Sequence, residues 1–267
     1  MLKRVLTVVV GLPIVILLVH LGGLFTVIFC GVMAILGLRE LYQALEGKHE
    51  PIHLVGYIFT VVYFAFLYLF NFGHELLIVL TLFIIIAQAC LMAFFKTLKL
   101  EQCIKMVYGV LYVPFLLSFV VVLRLHELGQ VYVWLIFTSA FGCDTFAYIA
   151  GVNLGKHKLI NTPSPKKSVE GVLGGILGAG LMGGLYSFFV YRFTEHVEFS
   201  FIPIAIAVCA VTAVFCVVGD MAASAIKRHS GIKDFGNVFP GHGGVLDRID
   251  SIVLAAPVVF LTVWVVL

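Results

Sequence analysis

The sequence predicts an all-α fold, a polytopic helical bundle integral to a membrane and crossing it eight or nine times. Two observations carry this. Of the 267 residues, 62% are hydrophobic and only 12% charged, with a mean hydropathy of +1.13, far from the usage of water-soluble domains. The apolar residues also run in uniform stretches of about 20, the length that crosses ~30 Å of hydrocarbon as a helix, without the two-residue alternation of a membrane barrel.

Spans are predicted at about 5–20, 23–38, 52–71, 76–95, 104–123, 131–151, 171–191, 201–222 and 245–267. Lys3 and Arg4 before an apolar run have the charge order of a signal peptide. No small-residue cleavage site leads into a polar mature domain, so this is read as a retained span. From Val5 to Leu38 the apolar run is broken only by His20 and Gly22-Gly23. It forms either a tight hairpin or one long tilted helix, hence eight or nine crossings. The first five spans, with polar residues such as Asn71 and Gln88 scattered singly, read as scaffold. The seventh, with Gly171, Gly174, Gly175, Gly178, Gly180, Gly183 and Gly184, has the small-residue spacing that lets helices pack backbone to backbone and leaves room for a homodimer.

The loops after the second, fourth, sixth and eighth spans carry thirteen of the 17 Lys and Arg residues. The positive-inside rule puts that face in the cytoplasm. Two regions follow: residues 1–130 form an N-terminal transmembrane scaffold, and 131–267 a catalytic transmembrane region with cytoplasmic loops 152–170 and 223–250. The six cysteines include no C-x-x-C pair and sit in or beside apolar runs, so neither disulfides nor zinc are expected. A net charge of +3, dispersed over loops, excludes a nucleic-acid stripe.

All five aspartates, Asp144, Asp220, Asp234, Asp247 and Asp250, fall in the second half, in or next to the two polar cytoplasmic loops. Asp144 lies well inside its span, where a carboxylate costs at least about 2.5 kcal/mol; it is either a buried pair or a metal or substrate site. Asp220 ends the eighth span, with Ser224 and Lys227 four and seven residues on, one stripe if the helix continues. Asp247 and Asp250 stand three apart at the start of the last helix, either as caps or as a metal ligand pair following the turn Pro240-Gly241-His242-Gly243-Gly244. In Ser164-Pro165-Lys166-Lys167-Ser168, the prolines stiffen the approach and Ser168 caps the seventh span, holding two lysines at a helix N-terminus suited to phosphate. Glu170 either complements the dipole or partners a lysine or metal. Carboxylates interleaved with cations and bare glycines suit an anion carried on a divalent metal.

These residues resemble the signature of the phosphatidate cytidylyltransferases, the CDP-diacylglycerol synthases: Ser224-Ala-Ile-Lys227-Arg228, Lys233-Asp234 and Pro240-Gly-His242-Gly-Gly-Val-Leu-Asp247-Arg248-Ile-Asp250. The similarity extends to Cys143-Asp144-Thr145-Phe146-Ala147-Tyr148, Ser164-Pro-Lys-Lys-Ser-Val-Glu170-Gly171 and Gly219-Asp220, departing at Ala223 and Val169. The resemblance implies a bacterial inner-membrane enzyme with a cytoplasmic site. It implies transfer of CMP from CTP to phosphatidic acid, giving CDP-diacylglycerol and pyrophosphate in phospholipid biosynthesis, with Mg2+ and room for a second cation. It assigns catalysis to Asp144, Asp220, Asp247, Lys227 and Arg228, and metal binding to Asp144, Asp220, Asp247 and Asp250. Substrate contact falls to Ser164, Lys166, Lys167, Ser224, Lys233, His242 and Arg248. Asp234 stays open as a ligand or the partner of Lys233. The Lys-Asp and Pro-Gly-His-Gly-Gly-x-x-Asp-Arg pattern is also similar to that of CTP-dependent polyprenol or phytol kinases, the alternative reading. An ion-coupled transporter with Asp144 as its cation site is the third.

Overall fold

Each predicted apolar segment becomes one helix. The computed structural model describes residues 2–48, 50–70, 75–159, 163–194, 197–238 and 243–266, with side chains over these ranges except at 2–8, 10, 12, 75, 76 and 266. Among the described residues the chain is α1 (Leu2–Leu21), α2 (Gly23–Glu46), α3 (His53–Phe70), α4 (Glu75–Ala93), α5 (Leu100–Leu125), α6 (Gly129–Leu154), α7 (Val169–Phe193), α8 (Phe201–His229) and α9 (Leu246–Val266). Seven of these, α2, α3 and α5 to α9, are long and apolar enough to cross a membrane, and α4 contains the shorter apolar helix Leu77–Ala93. The protein is a polytopic helical membrane protein.

Two helices run about two turns beyond the C-terminal ends of their predicted spans. Residues 39–46 are good helix formers with no breaker, so α2 continues to Gly47, where φ of 72° and a 2.8 Å bond from its N–H to the Gln43 carbonyl end it. The eighth span likewise continues through Lys227 and Arg228 to His229. Residues 223–229, read as loop, are helical, and Asp220, Ser224 and Lys227 therefore do share one helix.

The chain forms two compact units. The first comprises Met1–Leu125 and Ser230–Arg248. In it, α1 and α2 make the hairpin alternative: Gly22 and Gly23 have φ of 70° and 51°, and the chain reverses there. Arg124, at the end of α5, donates from Nε to the Val19 carbonyl and from Nη2 to the His20 carbonyl, both at 2.9 Å. It thus caps the last carbonyls of α1, and a Cβ at Gly22 would fall on its guanidinium. Deeper in this unit the Tyr42 hydroxyl donates to the Met106 carbonyl at 2.8 Å, and the Tyr42 ring stacks on His53 with centroids 4.1 Å apart. Pro114 lacks an N–H, and α5 opens around it into a π turn over Leu111–Phe115. Ser118, hydrogen-bonded to Tyr63, satisfies the Phe115 carbonyl at 2.6 Å.

The second unit comprises His126–His229 and Ile249–Leu267. Its organising device is the glycine seam of α7. Gly171, Gly174, Gly175 and Gly178 lie against Ala147, Ala150, Cys143 and Phe146 of α6, while Gly180, Gly183 and Gly184 lie against Ile206, Cys209 and Ala205 of α8. The seam is thus used within the chain, and the opposite face of α7 exposes Leu173, Leu177, Leu181 and Leu185. On α8, a Cβ at Gly219 would sit 2.6 Å from the Asp250 carbonyl, so the start of α9 within this unit packs directly on the backbone beside Asp220. All six cysteines are unpaired.

Candidate active site

Four segments of the second unit bring their polar residues together. The approach to α7 is folded as a small closed loop: Lys158 and Ser168 form an antiparallel bridge, Leu159 N–H donates to the Lys167 carbonyl at 3.0 Å and Val169 N–H to the His157 carbonyl at 2.8 Å. Ser168 caps α7 as its sequence position predicts, its Oγ accepting from Gly171 N–H at 3.1 Å. Glu170 proves to be the partner of His157, with 2.6 Å between Oε1 and Nδ1, and both its oxygens also accept from the His157 N–H. It therefore locks the loop to the first turn of α7.

The locked loop presents Lys167 to α8. Its Nζ lies 2.6 Å from Asp220 Oδ2, both side chains being only partly exposed. The other oxygen, Oδ1, faces the Ser224 hydroxyl at 3.5 Å, the outer limit of a hydrogen bond. Asp250 packs beside them, its Oδ1 accepting from Ser251 N–H at 2.8 Å, and the charges of Asp220, Lys227 and Asp144 all act on its carboxyl. Asp144, Lys167 and Asp220 likewise act together at the Cys143 thiol. Asp144 itself is exposed on α6, as is Tyr148 one turn on. Ten residues separate Asp144 from Leu154 at the α6 terminus, ~15 Å of helix. An exposed carboxylate at that depth requires water or a polar partner in front of it. Ser164 is half-buried and turns the loop, its carbonyl accepting from Lys167 N–H at 3.2 Å, while Lys166 and Arg228 are exposed.

Asp247 belongs to the first unit, together with Lys233, Asp234 and Arg248, all three exposed. Its Oδ2 accepts from Phe235 N–H at 2.8 Å and from Gly244 N–H at 3.0 Å, so it ties Phe235 to Gly244. His242 lies outside the described residues. One further acid in this unit has no counterpart among the predicted site residues. Glu40 of α2, 5% exposed, accepts from Val245 N–H through Oε1 at 2.9 Å and from Leu246 N–H through Oε2 at 2.8 Å. Its signal was a carboxylate two residues past an apolar span, easily taken for an interfacial charge beside Arg39.

Among the described residues no three of His, Cys, Asp and Glu converge tightly enough to cage a metal unaided. The donors of the second unit are instead mutually charged carboxylates with a lysine among them. That set fits a hard cation such as Mg2+, which takes one or two carboxylates and completes its shell with water and substrate phosphate.

A helical membrane protein that gathers Asp144, Asp220 and Asp250 with Lys167 and Lys227 has the kind of charges that enzymes of phosphate chemistry use. Comparison with known proteins gives the family: the chain matches the cytidylyltransferase family over residues 2–266 and belongs to it. It is 38% identical over 156 residues to the phosphatidate cytidylyltransferase of Thermotoga maritima, covering 57% of this chain and 56% of that protein. It is 38% identical over 152 residues to that of Rickettsia bellii, covering 57% of this chain and 66% of the relative. It is 29% identical over 259 residues to that of Staphylococcus aureus, with 95% of each chain aligned. The matched stretch thus spans between about half and two-thirds of the first two relatives.

Proposed function

We propose that the protein is a phosphatidate cytidylyltransferase of the bacterial inner membrane, working from the cytoplasmic face. A phosphate oxygen of phosphatidic acid attacks the α-phosphorus of CTP. The new O–P bond forms as the bond from the α-phosphorus to the bridging oxygen breaks, and pyrophosphate leaves. The observation that carries the reading is the Lys167–Asp220 pair held among Asp144, Asp250 and Lys227. Such transfers need positioning and charge neutralisation more than covalent help.

In this reading Lys166, Lys167, Lys227, Arg228, Lys233 and Arg248 take phosphate charge, with Ser164, Ser224 and His242 as polar contacts. Asp144, Asp220, Asp247 and Asp250 are the residues that would hold Mg2+ and a second cation, which when bound neutralises charge developing on the transferred and leaving phosphates. Glu170 fixes Lys167 indirectly, through the loop that it locks. Exposure of Asp144 and Tyr148 on α6 supports a site open to water and sideways to lipid. The thirteen-cation face supports the cytoplasmic orientation. Since the α7 glycines are used inside the chain, a homodimer would meet through other apolar faces.

The test uses purified protein in detergent with Mg2+, phosphatidic acid and CTP labelled in the cytosine and in the γ-phosphate. Cytosine label in lipid and γ-label in pyrophosphate is the expected result. Transfer of the γ-label to a polyprenol or phytol would replace the reading with a lipid kinase; no turnover with any acceptor would return it to transport.

A further inference from the structure

The turn from Gly243 to Asp247 opens α9, and a glycine-rich turn at a helix N-terminus is where an approaching phosphate usually finds bare amides. Here those amides are already used by carboxylates of the chain. Gly244 N–H donates to Asp247, and Val245 and Leu246 donate one to each oxygen of Glu40. Glu40 is itself buried, and it accounts for two of the local glycines: a Cβ at Gly236 or Gly244 would collide with its carboxylate. A glutamate on a helix more than two hundred residues earlier therefore does for this turn what a bound anion does elsewhere.

We propose that Glu40 is a positioning residue for the reaction. It holds the first amides of α9 so that Asp247 and Arg248 leave the turn in fixed directions, and it excludes the phosphates of the nucleotide from those amides. Phosphate binding then falls to lysine and arginine side chains, not to the amides of Gly244, Val245 and Leu246. In its effect on turnover the proposal rests on the cytidylyltransferase reading; in its effect on the turn it does not.

The full chain in detergent is compared as wild type, Glu40→Gln, Glu40→Asp and Gly236→Ala. Hydrogen exchange is measured over residues 236–247 and over α6–α8, together with kcat and KM for CMP transfer. Glu40→Gln replaces one acceptor by an amide that meets a backbone N–H head on. The Val245 and Leu246 amides should exchange at least tenfold faster with α6–α8 unchanged, and kcat should fall at least tenfold with KM for phosphatidic acid within twofold. Glu40→Asp, still a carboxylate, should restore part of both. Gly236→Ala, which pushes on the carboxylate without altering it, should repeat the pattern and decides the matter if Glu40→Gln does not fold. Unchanged exchange at Val245 and Leu246, an unchanged kcat, or a loss of kcat accompanied by loss of protection in every helix would each overturn the proposal. A wild-type chain that transfers no CMP defeats the functional reading alone, and the exchange comparison still decides whether Glu40 holds the turn.

Discussion

At Asp220 a single carboxylate serves two neighbours, a lysine 2.6 Å from one oxygen and a serine hydroxyl at the edge of reach of the other. Asp220→Asn keeps the shape and removes the charge, and CMP transfer is expected to fall by about 10²–10³-fold, the range for losing one preorganised electrostatic group. Lys167→Met should approach that loss, with Lys167→Arg recovering part of it; steady-state rates with labelled CTP would show this. Equal rates in Lys167→Met and wild type would remove this pair from the mechanism. Asp144, Asp220, Asp247 and Asp250 stood out in the sequence because an acid at or inside an apolar run is expensive and therefore visible. Glu40 did not stand out, because its partners are backbone amides 205 and 206 residues away and amides have no sequence signature. The pairing of Glu170 with His157, 13 positions apart in the chain, was hidden for a related reason: a helix dipole, a lysine and a metal would each account for an acid in that first turn.

Among the elements, α7 is the one whose two faces differ most. Gly178→Ala would drive a methyl onto Cβ and Cγ of Phe146 and force α6 and α7 apart, so a loss of about 1–3 kcal/mol is expected. Leu177→Ala, one position earlier on the exposed face, should leave thermal stability in detergent nearly unchanged. Thermal unfolding of the two variants side by side checks the contrast. Removing the cap with Ser168→Ala should cost about 1 kcal/mol, and the same measurement reads it. The helices themselves were legible, because span length and glycine spacing are local properties of the chain. Where prediction fell short, at the far ends of α2 and α8, it equated the end of the apolar run with the end of the helix. Those last turns carry Arg39, Glu40, Lys227 and Arg228, good helix formers that prefer water to lipid and need no membrane to stay helical.

On the scale of the whole molecule, neither compact unit is a continuous piece of chain: the first is closed only when Ser230–Arg248 has been added to Met1–Leu125. A fragment ending at Leu125 keeps Glu40 but lacks both of its amide partners. Each such charge-assisted bond is worth about 1.5–3 kcal/mol, so the fragment is expected to be several-fold more protease-sensitive in membranes than the same region of the full chain; equal resistance would show that the first five helices are complete by themselves. The separation of 205 residues between Glu40 and Val245 also has a meaning in time. At a synthesis rate of ~5–20 residues per second, α2 waits about 10–40 s for the segment that satisfies its carboxylate. Throughout that interval Glu40 needs another source of hydrogen bonds, and its place in the last two turns of α2 lets the headgroup water supply them. Insertion of α2 is then provisional, and the arrival of Val245 and Leu246 converts a hydrated helix end into a buried one only after the intervening 205 residues have been made.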